Sequence, residues 1–189
     1  MITIDEKGLA EAQKLLADMP KAIPKAAARA INRAATAAKT EAWKQVKKDY
    51  TIKRARVSKA WDKISKATAS NLSAKLISRG SVMPLSYFRI KPKSPPKRRP
   101  KNPVYAQVRN DGGGTIRSAF VARMKSGHTG IFHRKNGNKS YPIQQNYGPS
   151  VPQMLASKSV SAFIEERASE ILNKRFEHEV NAILNGVTK

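Results

Sequence analysis

The chain has 189 residues, with 37 Lys and Arg against 13 Asp and Glu, and its formal charge of +24 opposes a lone compact monomer while drawing in polyanions or acidic proteins. Cysteine is absent, which excludes disulfides, thiolate zinc sites and cysteine nucleophiles. The apolar share of 40% includes 25 alanines, which bury little area each, so one modest core in a single domain, 1–189, is expected.

The start, MITIDEKGLAEAQ, carries acids where a signal peptide has a basic and then an apolar segment. No apolar run approaches the roughly 18 residues of a membrane span, so the chain reads as soluble and unexported, with no membrane partner. From Asp5 to Met19, the residues Leu9, Ala12, Leu15, Leu16 and Met19 share one helical face, with Asp5 and Glu6 at the positive end of the dipole. Pro20 ends this N-terminal helix, within 1–20. Pro24 then suits the first turn of a second helix reaching about Tyr50, where its missing N–H has no intrahelical partner anyway.

Along that helix Ala27, Ile31, Ala34, Ala35, Ala38, Ala42 and Val46 form a stripe of small side chains. Such a stripe allows close approach to a sheet or to the last helix, and Ile31, Ala35 and Ala38 are taken as assembly or packing positions. Opposite it runs a basic row, Lys25, Arg29, Arg33, Lys44 and Lys48. A short helix is expected over Ile52–Trp61.

The period then changes. NLSAKLISR, 71–79, alternates like a strand, and PLSYFRI, 84–90, is its expected partner. Next comes KPKSPPKRRPKNP, 91–103, whose prolines remove backbone donors and favour an extended, solvated and mobile loop. Its six cations are Lys91, Lys93, Lys97, Arg98, Arg99 and Lys101. VYAQVRN, 104–110, alternates with Val104, Ala106 and Val108 inward, and Asp111 to Gly114 reads as a flexible turn. Two further strands are expected near 118–124 and 129–134, and Asn136 to Asn138 signals a turn. The C-terminal helix is expected from Gln153, within 153–185, with Val160, Ile164, Ala168, Ile171, Leu172, Val180, Ile183 and Leu184 on one face and Gly186 as its stop. These elements make an α+β domain, an antiparallel meander of about five strands with two long helices.

Catalytic patterns are missing. His128, His133 and His178 form no pattern with neighbouring acids, and Glu165, Glu166 and Glu170 sit where acids favour a helix dipole. Gly112 to Gly114 is followed by no Gly-Lys-Ser/Thr, so it is no phosphate loop. Neither an enzymatic activity, nor a metal, nor a cofactor is expected. Function is left to charge: between Tyr50 and Ile164 only Asp62 and Asp111 are acidic, against 23 Lys or Arg. The contact candidates for DNA or an acidic partner are the six loop cations together with Lys25, Arg29 and Arg33. Base-reading patterns are absent, so a nucleic acid would be met without regard to sequence.

AAARAINRAA at 26–35, TIKRARVSKAW at 51–61, SAFVARMKSGHTGIFHRKNGNKSYPI at 118–143 and PSVPQM at 149–154 occur in that order. Together they resemble the prophage minor tail protein Z family, the tail-completion proteins of long-tailed phages. The likeness covers most of the chain. It is most specific from Ile116 to Met154, with Ala119-Phe120-Val121, Phe132-His133-Arg134, Tyr141-Pro142-Ile143 and Pro149-x-x-Pro152-x-Met154. It adds Phe120, Tyr141 and Pro142 to the assembly or packing positions, while the proline-rich run departs from the family core.

The resemblance implies a curved antiparallel sheet with long helices and a non-enzymatic role at the head-proximal end of the tail. There the protein would complete the tail and join it to the head as a homo-oligomeric ring, commonly of six copies, around the DNA channel. The implied neighbours are the tail terminator, tail tube and head connector proteins, in virions assembled in the host cytoplasm. The alternative is a sequence-independent DNA-binding protein acting through its loop and basic helix face.

Overall fold

The computed structural model describes residues 6–17, 19, 21–58, 60, 61, 65–98, 102–135 and 141–186. Pro20, Asp62, Arg99, Lys101 and the expected turn at 136–138 lie outside these described residues. The fold is α+β with antiparallel pairing throughout, as expected, and it divides into two compact units. A helical unit takes Met1–Lys44, Trp61–Ser78 and Ala156–Lys189, and a β-rich unit takes Gln45–Ala60 and Arg79–Leu155.

The helical unit is built from α1 (Glu6–Leu15), most of α2 (Ala22–Asp49) and α5 (Lys158–Leu184). Alanine is the best helix former, and the run of them sustains α2 for 28 residues, roughly 42 Å at 1.5 Å each. Only the first part of the stripe packs with the last helix: Ala27 and Ala34, joined by Ala26 and Ala30, which the expected stripe left out, share a buried cluster with Leu172, Phe176, Val180 and Ile183 of α5. Ala12 and Leu16 close the cluster from the α1 end, whereas Leu9, Leu15 and Met19 on the same expected face remain exposed. Gly186 follows α5 with φ +69, and its N–H returns to the Ile183 carbonyl, so it is the expected stop.

Residues 71–79 are not a strand. They belong to an irregular segment held by isolated bridges, Ser65 to Lys75 and Trp61 to Ser78, with a reciprocal Thr68–Asn71 turn at its tip. On the expected apolar face Leu72 is exposed and Ala74 and Leu76 are only half-buried, so the alternation does not form a buried strand face. The segment is tied to α2 by Asn32, whose amide donates to the Ala67 carbonyl at 2.9 Å and accepts from the Ala67 N–H at 2.8 Å. One side chain thereby imitates a strand's backbone.

In the β-rich unit, the last turn of α2 leads through α3 (Arg54–Ser58), shorter than expected, to eight strands among the described residues. Strands β2 (Arg89–Lys91), β3 (Val104–Arg109) and β4 (Gly112–Ile116) form one sheet, and β5 (Ala119–Arg123), β6 (Thr129–Arg134) and β7 (Ile143–Gln145) another. The two-residue strands β1 (Met83–Pro84) and β8 (Tyr147–Gly148) pair separately. PLSYFRI therefore serves two sheets: a 3-10 turn at Leu85–Tyr87 separates β1 from β2, and neither pairs with 71–79.

The inward positions of β2 and β3 are Ile90, Val104 and Ala106, all buried, while Val108 is half-buried. The expected glycine turn is one residue pair early. Asn110 and Asp111 make the turn, and Gly112 to Gly114 are in β4, paired to β3. Gly113 is required there, because a Cβ would meet the Tyr105 ring and come within 2.9 Å of the Gln107 Cβ. Asn110 also closes the end of α2. Its side chain donates to the carbonyls of Lys47, Lys48 and Tyr50, at 3.0, 2.8 and 3.4 Å, and its N–H to that of Asp49. These are among the carbonyls a helix end leaves without a partner.

The expected C-terminal helix is two helices. In α4 (Val151–Leu155), Ser150 and Gln153 form a capping box, with the Ser150 N–H donating to Gln153 Oε1 at 2.8 Å and the Gln153 N–H to Ser150 Oγ at 3.4 Å. That is the physical content of the PSVPQM string. Extended backbone at Ser157, ψ 141, then breaks the axis and starts α5.

Candidate polyanion and assembly surfaces

The basic candidates divide into two classes. Lys91 ends β2 across from Tyr105, and Lys93, Lys97 and Arg98 follow in exposed bends; none of the four has an ion-pair partner among the described residues. Arg99 and Lys101 lie outside them. On α2, Lys25 is exposed, but Arg29 and Arg33 face an internal acid. Arg33 Nη1 stands 2.7 Å from Glu179 Oε1, and Arg29 Nη1 stands 3.9 Å from Glu179 Oε2.

Glu179 is the residue that reading the sequence for charge passes over. It sits on α5 between Phe176 and Val180 and is 2% exposed, at a position the helical period assigns to the core. The sequence shows only an acid three residues after one core position and four before another; that two arginines four apart on α2 stand opposite it is known from the structure alone. Other acids pair locally, Glu41 with Lys44 at 2.6 Å and Glu170 with Arg167. An open groove of about 650 Å³ runs over Ala37 and Ile171, rimmed by Lys174, Glu177 and His178, and its mixed charges focus no single sign.

In the β-rich unit, guanidiniums rest on aromatic rings more than on carboxylates. Arg56 lies 3.8 Å from the Tyr87 ring centre, Arg134 5.3 Å from Phe120, and Arg109 5.5 Å from Tyr50. Arg109 also donates through Nε to both Asp111 oxygens at 3.2 Å, and that hydrogen bond, with the Asp111 charge, holds it above its ordinary pKa.

Of the assembly or packing candidates, Ala38 is buried, and Ile31 and Ala35 are partly buried on α2. Phe120 is half-buried against Phe132, ring centres 6.3 Å apart. Tyr141 is 81% exposed, and the carbonyl of Pro142 beside it accepts from the Lys135 N–H at 3.1 Å. His133 bonds Asn146, and His128 Nε2 lies 3.0 Å from the Gln145 amide nitrogen. No group of three His, Cys, Asp or Glu residues suited to a metal occurs among the described residues, and no helix there is long and apolar enough to cross a membrane.

The family model for prophage minor tail protein Z (GPZ) matches residues 6–189. The chain belongs to that family. Comparison with curated proteins and with solved structures returned no match. For a minor tail protein, a structural role in the virion tail follows from this membership, in company with other virion proteins. The strings that carried the likeness now have structural meanings in this tail protein. AAARAINRAA is the part of α2 that meets α5, and PSVPQM is the capped start of α4.

Proposed function

We propose that this chain is a non-enzymatic structural protein at the head-proximal end of the tail. Copies of it form a ring, six-membered by the family likeness, that completes the tail and joins it to the head around the DNA channel. Family membership over 6–189 supports the tail role. The observation that carries the finer placement is the exposed cationic run Lys91, Lys93, Lys97 and Arg98, without an ion-pair partner among the described residues, which suits a position where a polyanion passes or an acidic neighbour docks. The neighbours are the tail terminator, tail tube and head connector proteins. Both compact units are discontinuous in sequence, which favours their folding and acting as the one domain 1–189.

The test is assembly in its absence. Tails made without the protein are mixed with mature heads; they fail to join, and adding the purified protein restores joining. Full-yield particles without it would overturn the placement.

A second reading is a sequence-independent DNA-binding protein, favoured by the same loop cations. The basic face of α2 contributes less to it, because Arg29 and Arg33 already neutralise Glu179.

A further inference from the structure

The charge of the chain is divided unequally between the two units. The β-rich unit holds 21 Lys and Arg against two acids, Asp49 and Asp111, whereas the helical unit holds 16 against 11. Both acids of the β-rich unit are engaged, Asp111 by Arg109 and Asp49 by the Gln45 amide at 3.2 Å. Two carboxylates cannot offset this excess of positive charge, a repulsion that an external polyanion removes.

The exposed apolar side chains divide the same way. Among the described residues of the helical unit the large exposed ones are Leu9, Leu15, Met19, Leu72, Ile77 and Leu184, none of them aromatic. In the β-rich unit they are Val82 and two tyrosines, Tyr141 and Tyr147. Tyrosine hydroxyls, with Arg and Lys, are common phosphate donors, and aliphatic side chains are not. Tyr141 stands at the β6–β7 end beside the exposed Lys135.

We propose that the β-rich unit is a sequence-independent binding surface for duplex DNA, and that the helical unit takes no part in that contact. The exposed cations come from separate elements: Lys48 at the end of α2, Lys53 before α3, Arg89 in β2, Arg117 after β4, Lys125 in the β5–β6 turn and Lys135 after β6. So wide a distribution fits a polymer bearing a charge about every 1.7 Å of axis better than a single acidic peptide. The inference rests on the reading that DNA passes this protein. If the duplex is not bound in solution while head joining still requires the protein, this inference falls and that reading stands.

The test uses the full chain and two charge-matched variants. One carries Lys53→Glu, Arg117→Glu and Lys135→Glu in the β-rich unit; the other carries Lys14→Glu, Lys25→Glu and Lys66→Glu in the helical unit, all six positions being exposed. Each is titrated with a random-sequence duplex over a range of salt. The β-rich variant loses roughly three units from the slope of log affinity against log salt, and the helical variant less than about one. The set Lys53→Gln, Arg117→Gln and Lys135→Gln is run alongside, so that a folding defect from charge reversal leaves the comparison intact. Equal losses in the two units would show that only net charge matters and overturn the assignment. Polyglutamate bound as tightly as the duplex would also overturn it, in favour of an acidic protein.

Discussion

Glu179 on α5 places its Oε1 2.7 Å from the Arg33 guanidinium on α2, with the acid almost wholly buried and the arginine half exposed. The contact is close without being aligned as a hydrogen bond, so its strength is that of charge. The pair is therefore asymmetric. Losing Glu179 frees two arginines that already reach water, whereas losing the arginines strands a buried carboxylate. Arg29→Met with Arg33→Met is expected to cost about 2–3 kcal/mol, less than a fully buried pair because the guanidiniums are solvated, and Glu179→Met less than about 1 kcal/mol. Urea denaturation checks the order; a larger loss for Glu179→Met would contradict it.

Close packing along α2 should be graded by burial. Ala30 is fully buried among Phe176 and its neighbours, while Ala35 is only partly covered. Ala30→Leu is expected to cost about 1–3 kcal/mol by overpacking, and Ala35→Leu less than about 1 kcal/mol. Melting temperatures of the two variants decide this, and an unchanged Ala30→Leu would mean that α2 and α5 are not in tight contact.

Two neighbouring glycines of β4 should respond with opposite signs. A Cβ at Gly113 meets Tyr105 and Gln107, and the Gln107 Cβ cannot rotate away, so Gly113→Ala is expected to lose about 1–3 kcal/mol. Nothing lies within 4 Å of a Cβ at Gly112, and Gly112→Ala is expected to gain about 0.5 kcal/mol through the unfolded state. Equal effects in a denaturant titration would place Tyr105 elsewhere.

Much of the fold was legible because its elements are periodic. The Ala-rich helix and VYAQVRN each show their buried face in the spacing of apolar residues, whereas the strand at 129–134 buries three consecutive residues and was marked by its flanking turns. What misled was alternation without strand pairing, at 71–79, where Leu72 is exposed and Leu76 only half-buried, and glycine read as turn where strand packing against Tyr105 demands it. The split between α4 and α5 was hidden because Ser157 interrupts the backbone without interrupting the apolar spacing. In the candidate site, loop cations were legible as charge, but Glu179 was not, since its role depends on which helix lies opposite.

The loop gives the alternative reading its own test. Lys97→Ser, Arg98→Ser, Arg99→Ser and Lys101→Ser together remove four cations from the proline-rich run. If the run lies on DNA, the salt slope of duplex binding drops by roughly 3–4 units and affinity falls with it. Unchanged affinity and slope would remove the run from the DNA interface.

The placement at the head-proximal end is tested most directly by reconstructing tails that carry a label on this protein. The account predicts a symmetric ring of label at the end that meets the head, encircling the channel. Label at the baseplate end, or none on finished particles, would contradict it.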